Sequence, residues 1–110
     1  MDFTKFVALL RSKSISEVTF TSHCEYRLQL RGISKGLVED LLHDPKSLRG
    51  VLQQEPKNRF KLYYVYTEDK DLIIIVDAKL IRSKLRLTVV TVFPQPSKRR
   101  TKVREYEGEG

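Results

Sequence analysis

One cysteine is present in 110 residues. Cys24 alone excludes an internal disulfide framework and any cysteine-rich zinc site. Long apolar runs are missing too. The longest is "LIIIV", residues 72–76, far short of the roughly 20 residues that span a bilayer, so no membrane partner is expected. The opening "MDFTKFVALLRSK" has neither a basic n-region nor a small-residue cleavage site, so a cytoplasmic location is expected. No Gly-rich phosphate loop, nucleotide fingerprint or Ser/His/Asp arrangement is present. His23 and His43 with the scattered acids show no metal-ligand spacing, and no cofactor is expected. There is no internal repeat and no DNA-recognition helix motif.

What the chain does have is positive charge. Twenty-one Lys and Arg against 14 Asp and Glu give a net charge of +7, a footprint that favours an acidic partner, most often nucleic acid. The segment after Pro94 holds five Lys or Arg and three Glu, so most of the excess belongs to the folded part. With 40% apolar residues and this length, one globular domain is expected over 1–96. A basic and acidic tail follows at 97–110 and is expected to be loose.

Phe3, Phe6, Val7 and Leu10 repeat at helical spacing after a capping Asp2. "EVTFT" (17–21) is a strand or an extended linker. A second helix is expected from Ser22, with Ser22 and Glu25 as a capping box and Gly32 as its end. Ser34 opens a third, carrying Leu37, Val38, Leu41 and Leu42, with Ile33 stapled onto Val38; it stops before Pro45. From residue 47 the period becomes two. "SLRGVLQQ" is a weak strand; "RFKLYYVY" (59–66), "DLIIIVDAKL" (71–80) and "KLRLTVVTVF" (84–93) are strong ones. Short connections imply an antiparallel meander. The expected fold is α+β, with the helices on one face of a four-stranded antiparallel sheet.

Alternation separates the two faces of that sheet. Phe60, Leu62, Tyr64 and Tyr66 suit the helices. Arg59, Lys61, Tyr63 and Val65 face away, as do Lys84, Arg86 and Thr88 if Leu85, Leu87 and Val89 face inward. The central strand is apolar on both sides, so the tail, a partner chain or a ligand covers part of the second face. Cations around Tyr63 suit a phosphate backbone and a stacked base. The same residues would also serve as a solvated face that guards the sheet against aggregation.

The stretch "SHCEYRLQLRGISKGLVEDLLHDP", continued by "RFKLYYVY" and "LRLTVVTVF", resembles a small family of domains of unknown function related to RelE/ParE-type toxins. The likeness covers roughly 17–93 and rests on His23, Arg27, Arg31-Gly32-Ile33-Ser34, Val38, Leu41, Leu42 and Pro45. It implies a RelE-like α+β fold, RNA or the ribosome as partner and, in toxin members, metal-independent RNA cleavage. An acidic antitoxin-like protein is the other partner it implies. Such cleavage needs a group to take the 2′-hydroxyl proton, cations for the extra negative charge and an acid for the leaving oxygen. Arg59, Lys61 and Arg86 match the family's basic strand positions, and His23 is the acid/base candidate. The family's toxins place a Tyr or His near the end of the last strand; this one ends Phe93-Pro94.

For nucleic-acid contact the candidates are Arg27, Arg31, Tyr63, Lys84, Lys98, Arg99 and Arg100. Arg27 and Arg31 either meet phosphates or pair with Glu25, Glu39 or Asp40. His23 either catalyses or ties its helix to a strand. Cys24 reads as core packing and His43 as a cation at a helix C-terminus. The expected function is RNA binding with or without cleavage; the alternative is a non-catalytic protein whose basic sheet face binds an acidic protein.

Overall fold

Local capping signals cut the first 44 residues into helices. The computed structural model describes residues 1–102, so 103–110 of the expected tail lie outside the described residues. Helix α1 (Phe3–Arg11) starts where Asp2 accepts from the Lys5 N–H, and Ser12 closes it. Helix α2 (Ser22–Arg31) is capped by Thr21, whose Oγ1 accepts from the Cys24 N–H at 3.0 Å. Ser22 is therefore the first helical residue and not the cap expected for it. Gly32 at φ 67° ends α2 in the left-handed conformation that glycine adopts without steric cost. Ser34 caps α3 (Lys35–His43), which stops before Pro45 as the fixed proline ring requires.

A short 3-10 turn (Pro45–Ser47) leads into β2 (Leu48–Gln53), β3 (Arg59–Thr67), β4 (Lys70–Ile81) and β5 (Lys84–Pro96), an antiparallel meander. The sheet has a fifth member. Strand β1 (Ile15–Phe20) pairs with β5 in parallel, giving the order β1-β5-β4-β3-β2. The expected four-stranded antiparallel sheet is thus corrected to a five-stranded mixed one. Alternation marks "EVTFT" as extended, but its partner lies about 70 residues away, beyond the reach of a periodic signal. Parallel neighbours also need a long connection, here supplied by everything from α2 to β4.

The core lies between the helices and one face of the sheet, where Phe6, Leu10, Cys24, Leu28, Val38 and Leu42 meet Phe60, Leu62, Tyr64, Leu72, Ile74 and Leu87. Phe6 stacks parallel on Phe60 with ring centroids 3.8 Å apart. Burial pushes the Cys24 thiol above its ordinary range, which suits packing rather than reactivity. Tyr66, expected in this layer, is largely outside it at 38% exposure, at the point where the β3–β4 register shifts between Val65 and Thr67.

Tyr64 is fully buried and its hydroxyl has no hydrogen-bond partner among the described residues. An unmet buried hydroxyl costs about 1–3 kcal/mol, so Tyr64→Phe is expected to raise stability by about 1 kcal/mol. Burial also raises its phenol pKa well above the usual 10. A raised folded-state value means this group's contribution is complete below pH ~10 and falls above it, by at most about 1.4 kcal/mol per unit. Urea unfolding at pH 7 and 11 checks both points: the Phe variant should gain at pH 7 and lose less than wild type at pH 11. Equal midpoints for the two proteins at both pH values would refute them.

The strand connection at 82–83 is a two-residue turn in which both Arg82 (φ 53°) and Ser83 (φ 68°) have positive φ. That is the backbone of a type I′ hairpin, for which Asn-Gly is the relaxed choice. Non-glycine residues held there cost about 1 kcal/mol or more each. Lys13, between α1 and β1, is also left-handed at φ 62°.

Candidate nucleic-acid interface

Register fixes what shares the open face, the one turned away from the helices. Glu17, Arg86 and Lys79 form one row across β1, β5 and β4, and Thr19, Thr88, Asp77 and Arg59 form the next. The β4–β5 ladder then shifts, Ile75 pairing with Thr91 and Val76 with Val89, so Val90 is an extra residue in β5. This bulge brings Thr91 and Phe93 onto the open face beside Ile75 and Ile73. Tyr63, Ile73, Leu52, Ile75 and Phe93 make a second apolar cluster there. Past it, the segment Ser97–Lys102 turns back as a 3-10 helix. The buried Asp71 accepts through its carboxylate from Arg100 Nε at 2.7 Å and from Ser97 Oγ at 3.2 Å. So part of the expected tail is anchored across one end of the second face.

Several expected contact residues are occupied. Arg59 donates from Nε and Nη2 to both oxygens of Asp77, at 2.7 and 3.0 Å, and this bond holds the guanidinium pKa above its ordinary value. Arg86 pairs with Glu17 at 2.9 Å, both half exposed. Tyr63, the expected stacking platform, is only 4% exposed. Lys61 lies over its ring, with Nζ 5.3 Å from the centroid, so the aromatic face is covered by the protein's own cation. Arg31 donates from Nη1 to the Val92 carbonyl at 2.7 Å. It caps the stretch of β5 that runs beyond the end of β1, and is a structural strut. Glu25 pairs with Lys35 rather than with either arginine of α2.

His23 and Arg27 are exposed on α2. That helix belongs to the core-facing layer through Cys24 and Leu28, whereas Arg59, Lys61 and Arg86 lie on the opposite face of the sheet. The structure therefore does not gather His23 and the three strand cations around one point. It does bring Arg86 and Arg59 onto one face, two strands and one row apart. His43 Nδ1 sits 2.9 Å from the Glu39 carbonyl within α3. Lys98 and Arg99 are exposed on the C-terminal 3-10 helix. Among the described residues no three His, Cys, Asp or Glu side chains group as metal ligands, and no helix is long and apolar enough to cross a membrane.

The charge instead concentrates at the end of the sheet where β4 turns into β5. The ladder places Lys79, Arg82, Lys84 and Arg86 on that hairpin. Arg11 and Lys13 arrive beside it because the Leu85 N–H donates to the Ser14 carbonyl at 2.7 Å. The β2–β3 turn brings Lys57 and Arg59 to the same end, where the Ala78 N–H donates to the Asn58 carbonyl. Nearby carboxylates are Glu17 and Asp77, each already paired, and Glu55. Lys79 faces Arg86 directly across the ladder, a like-charge juxtaposition that disfavours the fold. Of this group only Lys84, Arg59 and Arg86 were expected from sequence. A two-residue turn read from "IRSK" would have placed Arg82 at a tip, and alternation would have put Lys79 on the face of Asp77.

The protein is thus of the α+β class, three helices covering one face of a mixed sheet with a basic hairpin at one end. Comparison with protein-family models, with curated proteins and with solved structures finds no match to this chain.

Proposed function

We propose that this chain binds RNA through the basic end of its sheet. The observation that carries the reading is the gathering of cations from three separate chain segments at the β4–β5 end, where the carboxylates among the described residues are fewer than the cations and Asp77 and Glu17 are already paired. Cations in excess of the carboxylates beside them attract a polyanion and release its counterions. The likeness to RelE/ParE-related domains, with RNA or ribosome as partner, points the same way. Binding is better supported than endonucleolytic cleavage, because His23 and the strand cations occupy opposite layers.

A second reading keeps the sheet face but exchanges the partner for an acidic, antitoxin-like protein. It is favoured by the half-buried Leu52, Ile75 and Phe93 in the middle of the open face, where an apolar helix face would dock. Affinity for total RNA measured from about 50 to 200 mM salt tests the first reading. Log affinity is expected to fall linearly with log salt, with no new RNA ends formed. Absence of binding at the lowest salt, together with recovery of a small acidic protein from cells, would replace the first reading by the second.

A further inference from the structure

Single-stranded RNA is held by unstacked bases laid on aromatic side chains, whereas duplex RNA is recognised through shape and backbone. Among the described residues the hairpin end offers no such platform. Tyr63 is buried under Lys61. The aromatics exposed among the described residues stand elsewhere: Tyr26 on α2, and Tyr66 at the far end of β3. What the hairpin end offers is charge at defined spacing. Lys79, Arg82, Lys84 and Lys13 have no ion-pair or hydrogen-bond partner through their side chains among the described residues. They sit on neighbouring strands or their connections, and strands are spaced by about 4.8 Å.

The hairpin also projects. Strand β3 begins at Arg59 opposite Asp77, so Lys79–Ile81 of β4 continue past the end of β3. At the very tip the chain holds Arg82 and Ser83 in left-handed backbone where Asn-Gly would be relaxed. A strained turn that keeps an arginine at its apex is explained if the guanidinium has a ligand to meet.

We propose that the β4–β5 hairpin reads the phosphate backbone of double-helical RNA without reading its bases. Lys79, Arg82, Lys84 and Lys13 are the phosphate contacts, with Arg82 leading. The inference rests on the RNA-binding reading and names the form of RNA that this end accepts. Phosphate contacts carry no sequence information, so affinity follows helical form and salt alone.

The test measures affinity of the full chain for two RNA duplexes of unrelated sequence, about 16 base pairs each, and for oligouridylate of equal length. The duplexes are expected to bind within about twofold of each other and at least about tenfold tighter than the single strand. Four engaged cations predict a log–log salt slope of about −3 to −4. The decisive variant is Arg82→Asn with Ser83→Gly, which relaxes the turn while removing its charge. It is expected to melt at a higher temperature than wild type, to bind duplex several-fold more weakly and to reduce the slope by about 1. Wild-type duplex affinity in that variant, or oligouridylate binding as tightly as duplex, overturns the hairpin assignment and leaves RNA binding standing. Failure of every RNA to bind at low salt overturns both.

Discussion

Arg100→Ala is expected to lower folding stability by about 3 kcal/mol, far more than a surface arginine contributes. Its Nε is 2.7 Å from Asp71, whose side chain is 1% exposed while that of Arg100 is 27% exposed. Removing one member of a buried pair leaves the other charged and uncompensated, at a cost of about 3–5 kcal/mol. The lower figure applies because Arg100 still reaches water and Ser97 Oγ remains a donor to Asp71. Arg99→Ala is the control: Arg99 is exposed on the same 3-10 turn, and the change should stay within about 0.5 kcal/mol. Asp71→Asn combined with Arg100→Ala should recover part of the loss, since the buried group no longer carries charge. Urea midpoints at constant m-value measure all three. Equal midpoints for the two single arginine variants would show that the C-terminal turn is not clasped to the sheet. The clasp bears on function as well, because it removes Arg100 from the cations open to a phosphate.

Phe6→Ala is expected to cost about 3–5 kcal/mol, the range for deleting a buried aromatic ring. Phe6 and Phe60 are both 0% exposed and stacked within 3° of parallel, so the cavity would open between α1 and the sheet. Phe6→Leu retains most of the volume and should cost much less. The position of α1 matters beyond stability, since its C-terminal end delivers Arg11 and Lys13 to the basic hairpin. In conditions where the Ala variant remains folded, its duplex-RNA affinity should fall with its stability, whereas the Leu variant should bind like wild type. A loss below about 1 kcal/mol for the Ala variant would mean that the helix is not pinned by this stack.

Much of the local structure is legible in particular residues. Asp2 and Ser34 cap their helices, Gly32 ends one, and Pro45 marks where another must stop. Each works through groups three or four positions away, so sequence order and spatial order coincide. Thr21 and Ser22 are both competent caps; the cap is Thr21, whose N–H still donates to the Val89 carbonyl of β5 while its side chain accepts from Cys24. The strand faces are legible by alternation as far as Thr88, whereas the extra residue Val90 shifts the rest of β5 and brings Thr91 and Phe93 onto the open face. The fate of Tyr63 is not legible: alternation put it on the open face correctly, but its burial comes from the second apolar cluster and from Lys61.

Taken alone, the amino-acid order determined the three helices, the four-strand meander, which residues share a face and the excess of positive charge. Those follow from caps, breakers and period, all short-range properties of the backbone. Folding in three dimensions decided that β1 lies parallel to β5 and that Asp77, Glu17 and Asp71 neutralise Arg59, Arg86 and Arg100. It also decided that Lys13 stands beside Lys84. Charge is a property of residues, but free charge is a property of neighbours, and here the paired neighbours are 18 to 69 positions apart in the chain.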